Sequence, residues 1–237
     1  MKIRRVLCGL VPAVCFSSVA WAVPVTFEQL TGVTGGNPAA TAVFKADLSS
    51  IGIANILSMT ITDDSAPDAG SPGQFSGFDL DAVILSTIDC DDAACAQGIA
   101  GLDVFNFSPA GTFFTPGLQR DPADPKLFGT GVTGNTVDNA VATLAALDGN
   151  STTALPPTVP SAFGFVSLGD GGVLSFNLTS LVSTAGLFLY IGEVGDNGEV
   201  VDGSITVSDQ PVVPEPALLA LFGLGLIGLS RRRLVRR

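Results

Sequence analysis

Apolar and polar residues alternate along most of the chain with a period of two, the pattern of strands that bury one face. The alternating runs are short, and clusters of Gly, Asp, Asn and Pro, which favour turns, separate them. The runs lie at 23–30, 42–48, 55–61, 78–85, 104–107, 163–168, 173–178, 187–191 and 204–207. This pattern predicts an all-β body.

One segment, Thr136 to Leu147, departs from this pattern and has the period of a helix. Asn135 is a candidate N-cap before it, and Gly149 lies just beyond its end. Its apolar residues share one stripe, as in a helix with one buried face, and they are Val137, Val141, Leu144 and Leu147. The sequence therefore predicts a single short helix packed on an edge or end of a sheet.

The N-terminus has the composition of a secretory signal peptide. Basic residues at Lys2, Arg4 and Arg5 precede an apolar stretch over residues 6–19. Ala20-Trp21-Ala22 then forms a cleavage site of the A-x-A type. These features predict a signal peptide over residues 1–22 and a mature chain that begins at Val23.

The C-terminus combines a proline hinge, a short apolar segment and a group of arginines. Pro214 and Pro216 flank Glu215, so a helix can begin only after Pro216. Thirteen apolar or glycine residues follow over 217–229, and they span about 20 Å of a hydrocarbon core that is roughly 30 Å thick. Five arginines end the chain and place that end in the cytoplasm. We predict a marginal membrane helix over residues 217–230.

This order of hinge, helix and arginines resembles the PEP-CTERM sorting signal of Gram-negative bacteria. The resemblance implies a signal over residues 211–237, recognised by an exosortase after passage through the export translocon. It further implies a transient inner-membrane anchor, removal of the tail, and release to the cell surface or extracellular matrix, with exopolysaccharide as a candidate partner. The residues that carry the motif are Val213, Pro214, Glu215, Pro216, Arg231, Arg232 and Arg233.

A second resemblance concerns the body between the two targeting segments, residues 23–210. Five of its segments resemble jelly-roll, discoidin-like or galactose-binding-like ectodomains, and they are residues 77–83, 146–149, 165–176, 187–195 and 203–208. The resemblance implies a jelly-roll-like β-sandwich and does not by itself imply sugar binding. The predicted fold is thus an all-β sandwich with one short helix, between a signal peptide and a transmembrane helix.

The body is far more acidic than the whole chain, whose net charge is −11. Of the 22 acidic residues only Glu215 lies outside residues 23–213, and of the 11 basic residues only Lys45, Arg120 and Lys126 lie inside. The body therefore carries a net charge of −18. Such a surface repels nucleic acid, anionic lipid and anionic polysaccharide, and it attracts cations.

Only two cysteines, Cys90 and Cys95, remain after the predicted removal of the signal peptide. In an exported chain such a pair predicts a disulfide bond. A zinc site is excluded as the alternative, because two thiolates need further ligands and the chain contains no histidine.

Calcium is the metal that this composition favours, because carboxylates and glycine-turn carbonyls are hard oxygen ligands. The candidate ligands flank the strands of the jelly-roll resemblance, and they are Asp79, Asp81, Glu193 and Asp196. No EF-hand loop is present, and solvated surface acids are the alternative interpretation. The sequence requires no other cofactor.

Enzymatic function is disfavoured, because the absence of histidine removes Ser-His and Cys-His chemistry. A glycosidase needs only two carboxylates, for which Asp79/Asp81 and Asp89/Asp91 are candidate pairs. Tyr190 is the only tyrosine and Trp21 the only tryptophan, so a sugar platform would depend on phenylalanines. We predict a structural or adhesive surface protein without catalytic residues. The alternatives are a calcium- or carbohydrate-binding module and, third, a carboxylate-dependent glycoside hydrolase.

Overall fold

The computed structural model describes residues 22–35, 41–63, 71–151, 162–195 and 205–213, which contain ten β-strands in two five-stranded sheets. Sheet A has the spatial order β1 (Val23–Pro24), β10 (Ile205–Ser208), β4 (Asn55–Thr62), β8 (Val173–Ser183) and β6 (Thr112–Thr115). Sheet B has the order β2 (Glu28–Gln29), β3 (Thr41–Asp47), β9 (Phe188–Val194), β5 (Asp79–Ser86) and β7 (Val166–Ser167). All neighbouring strands are antiparallel.

The main core contains side chains from both sheets, so the predicted β-sandwich is confirmed. Alternation sends every second residue of a strand toward the opposite sheet. Sheet A contributes, among others, Met59, Ile61, Leu174 and Phe176, and sheet B contributes Leu80, Leu85, Leu189 and Ile191.

A second apolar cluster covers the outer face of sheet B. Helix α1 (Ala93–Gly98) packs its Ala93 and Ala96 there against Val43, Ile84 and Tyr190. Sheet B is therefore covered on both sides around its central strands, and all eight residues of β5 are buried. This outer cluster, with helix α1, explains why polar residues on the outer face of sheet B are buried.

Six of the predicted strands are confirmed, as β3, β4, β5, β8, β9 and β10. The run at 23–30 divides into β1 and β2, because the chain crosses there from sheet A to sheet B. The run at 163–168 is reduced to β7. Residues 104–107 form no strand and make one bridge, between Phe105 and Leu178. Strand β6 was not predicted, because its sequence, Thr-Phe-Phe-Thr, places two phenylalanines side by side and does not alternate.

The predicted helix at 136–147 is wrong in length, since α2 covers only Asn139–Ala142. Asp138, not Asn135, caps it by accepting a hydrogen bond from the Ala140 amide. Thr143 then adopts a left-handed conformation with φ of 43° and ends the helix. Helix α1 was missed because six residues are too few to show a helical period.

Both ends of the body are attached to sheet A. Val23 pairs with Val207 across β1 and β10. The Asn177 side chain holds Val212 twice, since its Oδ1 accepts from the Val212 amide at 2.7 Å and its Nδ2 donates to the Val212 carbonyl at 2.9 Å. The chain is therefore fixed to the sandwich as far as Val212.

The targeting segments fall largely outside the described residues, which include Ala22 but not residues 1–21 or 214–237. Among the residues that are described, no helix is long and apolar enough to cross a membrane. The predicted membrane helix at 217–230 lies beyond them, and so does most of the predicted signal peptide.

Candidate functional site

A groove with a volume of about 610 Å³ lies where the chain crosses from β1 to β2. Its apolar lining comes mainly from Pro24, Phe27, Ile51 and Phe188. Its charged lining consists of Glu28, Lys45, Asp47 and Asp89. A concave site with apolar walls and a few converging polar groups is the usual form of a ligand-binding site.

Lys45 is the centre of the charged lining, although it is only 8% exposed. Its Nζ lies 2.9 Å from Glu28 Oε1 and 2.9 Å from Asp89 Oδ1, and it donates to the Cys90 carbonyl at 3.0 Å. These acceptors match the three N–H groups of an ammonium. Burial alone lowers the pKa of Lys45, but the hydrogen bonds and charges of Glu28 and Asp89 outweigh it and raise the pKa above its usual value. Lys45 therefore stays charged.

The sheet register brings most of these side chains together. Glu28 of β2 is directly opposite Lys45 of β3, and Asp47 of β3 is directly opposite Phe188 of β9. Directly opposite residues place their side chains on one face at contact distance. The charged side of the groove thus lies on the outer face of sheet B, beside the Phe188 ring, whose centroid is 5.9 Å from Lys45 Nζ.

The predicted disulfide bond between Cys90 and Cys95 is confirmed, and it closes the short loop that directly follows Asp89. Within this loop the Cys90 amide donates to the Tyr190 hydroxyl at 2.9 Å, and that hydroxyl donates to the Ile88 carbonyl at 2.7 Å. Burial raises the pKa of Tyr190, so the hydroxyl keeps the proton that it donates. The loop is therefore anchored on β9 in the position that presents Asp89 to Lys45.

All three cations of the body are committed to partners. Besides Lys45, Arg120 pairs with Asp170 through two contacts, Nη2 to Oδ1 at 2.6 Å and Nε to Oδ2 at 3.0 Å. Lys126 donates to the carbonyls of Thr130 and Gly131. An anionic ligand would have to compete with these partners, which strengthens the exclusion of anionic partners that the charge implies.

The proposed calcium ligands do not converge in the part of the chain that the structure describes. Asp79 and Asp81 flank Leu80, which pairs with Glu193 and shares its face of sheet B. Alternation therefore places Glu193 toward the main core and the two aspartates on the other face. Asp196 lies outside the described residues, and no group of three or more acidic or thiol side chains among those described could hold a metal ion. The calcium site stays a prediction.

Asp81 is instead closed into the protein, with no exposed surface. Its carboxylate accepts hydrogen bonds from Thr41 Oγ1 at 2.7 Å, the Gly149 amide at 2.9 Å and the Asp148 amide at 3.2 Å. Burial raises the pKa of Asp81 to about 7, although these donors act in the opposite direction. The residue connects β3 and β5 to the segment around Gly149.

Neither candidate glycosidase pair lies whole in the lining of this groove. Asp79 and Asp81 are both buried in β5. Asp89 lines the groove, but its partner Asp91 does not. The groove itself was not predicted from the sequence. The signal that could have indicated it is Lys45, a lone cation in the otherwise apolar strand β3 before its final aspartate.

Of the predicted targeting residues the structure describes three. Ala22 is exposed, and Val23 begins β1 at the predicted start of the mature chain. Val213 is the last residue described, at 52% exposure. Ala20, the remaining residues of the hinge and the arginines lie outside the described ranges, so the cleavage site stays a prediction.

Comparison with known proteins identifies the tail alone. Residues 212–237 match the family model of the PEP-CTERM protein-sorting motif. No curated protein and no solved structure matches the chain, so the jelly-roll resemblance of the body is supported only by its sandwich architecture. The match begins at Val212, the residue that Asn177 fixes to sheet A. The chain therefore carries a PEP-CTERM sorting signal, which an exosortase recognises and which directs export and membrane-anchored transit to the cell surface.

Proposed function

We propose that the body is a structural or adhesive, non-enzymatic component of the cell surface or of an exopolysaccharide matrix. The observation that carries this proposal is the direct succession of a disulfide-bonded sandwich and a sorting signal. The clamp of Asn177 on Val212 ends where the motif begins. Removal of the tail beyond Pro216 would leave every described contact of the body in place.

The chemistry of the body supports a role without catalysis. The chain has no histidine, and Asp81 is enclosed by Thr41 and the segment at Gly149. Of the three exposed acids of the groove, Glu28 and Asp89 contact the ammonium of Lys45, and Asp47 accepts from the amide and hydroxyl of Ser49. A glycosidase needs one carboxyl group that donates a proton and another that acts as base or nucleophile. Two carboxylates bound to one ammonium suit a structural ion pair better.

The sorting step is tested by the intact mass of the protein at the surface of producing cells. We expect this mass to lack residues 217–237. Replacement of Pro214, Glu215 and Pro216 by alanine should leave export intact and retain the protein in the inner membrane. Alanine at Val132, an almost fully exposed residue outside the matched segment, is the control for fractionation. A full-length C-terminus on surface material would contradict processing by an exosortase.

The role of the body is tested with a strain that lacks the protein. We expect weaker cell–cell cohesion or less retained matrix, restored by the wild-type chain but not by a chain whose hinge is replaced. Purified surface protein should release no reducing sugar from a panel of polysaccharides. Release of sugar that requires Glu28 or Asp89 would favour the glycosidase alternative instead.

A further inference from the structure

We infer that the groove between β1, β2 and β9 binds a short segment of a neutral, hydroxyl-rich glycan. This inference rests on the proposed surface function, because it names the class of matrix component that the body contacts. The groove's volume of about 610 Å³ falls within the roughly 300–1,000 Å³ of sites that enclose small ligands. It can therefore hold part of a sugar chain, whose remainder would continue into solvent.

Two aromatic rings provide the apolar part of the site. Phe27 and Phe188 both line the groove and are both half-buried. Phe27 packs against the main core and Phe188 against the outer cluster of sheet B. Because each ring is supported from behind, it loses little conformational entropy when a ligand covers it. The apolar C–H faces of sugar rings pack well against such rigid aromatic surfaces.

Two carboxylates provide the polar part of the site. The side chains of Glu28 and Asp89 remain 66% and 57% exposed although each contacts Lys45. Lys45 holds both in position, so they are oriented before any ligand arrives. Ionised carboxylates accept stronger hydrogen bonds from hydroxyl groups than neutral acceptors do. Their spacing on either side of one ammonium suits the hydroxyl groups of a sugar ring.

Charge decides among glycan classes. Glu28, Asp47 and Asp89 outnumber the one cation of the lining, and the body as a whole carries −18 over residues 23–213. Uronates, sulfates and phosphates are therefore repelled. A cationic chain would be attracted to the whole acidic surface, and in the groove it would compete with Lys45 for the same two carboxylates. A neutral glycan avoids both penalties.

The experiment measures migration of the intact surface protein through native gels that contain one polysaccharide each. The probes are a neutral glucan, a neutral galactan, a neutral mannan, anionic alginate and cationic chitosan oligomers. We expect retardation by at least one neutral glycan and none by alginate. Phe188→Leu and Glu28→Ala should each raise the apparent Kd for that glycan by tenfold or more.

Matched controls separate the groove from the rest of the surface. Phe113→Leu alters a half-buried ring of β6, and Asp91→Ala removes an exposed carboxylate two residues from Asp89. Both should leave retardation unchanged. If Phe188→Leu lowers the melting temperature, the test rests on glycan binding by Glu28→Ala. The Glu28 side chain is largely exposed and lies on a two-residue edge strand, so its replacement should not unfold the protein.

Three results would overturn the inference. The first is that no neutral glycan retards the protein. The second is that a neutral glycan retards the groove variants as much as wild type. The third is that chitosan alone retards the protein and that Asp91→Ala weakens this retardation as much as the groove variants do. None of them bears on the proposed function, which the cohesion of the deletion strain tests separately. Loss of cohesion without glycan binding would leave a structural surface protein whose contacts lie elsewhere.

Discussion

Lys45 and Asp81 are both buried on the outer face of sheet B, and the protein stabilises them in different ways. Lys45 has two carboxylates and a carbonyl within 3.0 Å, and its ammonium stays charged. Asp81 has a hydroxyl and two backbone amides as donors, and its pKa rises to about 7. Opposite charges compensate the loss of hydration, whereas neutral dipoles compensate it only in part. The groove therefore contains ion pairs between Lys45 and two carboxylates, whereas the buried carboxyl group of Asp81 can take up a proton.

The segment around Gly149 shows how tightly Asp81 is enclosed. A Cβ atom at position 149 would lie 2.5 Å from Val194 Cγ2 and 2.7 Å from Asp81 Cγ. Only glycine brings its backbone amide close enough to donate to the carboxylate. The position that the sequence indicated as the end of a helix is thus occupied by glycine because β5 and β9 approach it closely.

The largest expected effect comes from the pH dependence of Asp81. Its pKa is about 7 in the folded protein and about 3.9 in an unfolded chain, so the folded state binds more protons between these values. The stabilisation is complete below about pH 4 and is lost as the pH rises through 7. It amounts to at most roughly 4 kcal/mol in the free energy of unfolding.

Urea unfolding of wild type and Asp81→Asn from pH 4 to 8 measures this difference. Asparagine can accept from the amides at 148 and 149 and donate to Thr41, and it does not titrate. We expect wild type to lose stability relative to this variant as the pH rises. Curves that stay parallel across the range would show that Asp81 remains ionised when buried.

A smaller effect is expected from the disulfide bond that positions Asp89. Closing so short a loop stabilises by roughly 2 kcal/mol, and reduction should also free the loop anchored on Tyr190. Tyr190 is the only tyrosine, so its fluorescence reports on this contact. A reductant should change that signal and lower the melting temperature in wild type. The double variant Cys90→Ala/Cys95→Ala has no disulfide to reduce, so the reductant should change neither its fluorescence nor its melting temperature.

Loss of the groove's cation should have a still smaller effect. Lys45→Met leaves Glu28 and Asp89 without their ammonium, but both are exposed enough to be hydrated. We expect a loss of about 1 kcal/mol in the free energy of unfolding, measured by urea denaturation at pH 7. Lys126→Met, which removes an exposed cation bound to carbonyl groups, is the control and should change stability less. Equal losses in the two variants would mean that the groove's ion pair contributes nothing specific.

The smallest effect is expected from salt, which screens the net charge of −18 over residues 23–213. Sodium chloride should stabilise by about 1 kcal/mol or less, a shift of about 2–4 °C at most. Calcium, magnesium and sodium chloride at matched ionic strength separate screening from binding. A further rise with calcium, smaller with magnesium, would establish the predicted calcium site. Equal shifts would leave an acidic surface without one.

Local patterns predicted the parts of the fold that depend on local physics. Alternation located β3, β4, β5, β8, β9 and β10. It failed for residues 23–30, where two short strands join different sheets. It also failed for α2, which the side chains of Asp138 and Asn139 confine to a single turn through local hydrogen bonds.

The sorting signal could be predicted from the sequence because its hinge, helix and charge cluster are consecutive in the chain and do not depend on distant residues. The disulfide was predictable for a similar reason, since its two cysteines are only five residues apart in the sequence. The groove was not, because Phe27, Lys45, Asp89 and Phe188 come from four separate segments. The register of β2, β3 and β9 brings Lys45 beside Glu28 and Phe188 beside Asp47, and register depends on the pairing of strands distant in sequence. The same pairing buries Asp81 and separates it from Glu193, two acids that looked equivalent along the chain.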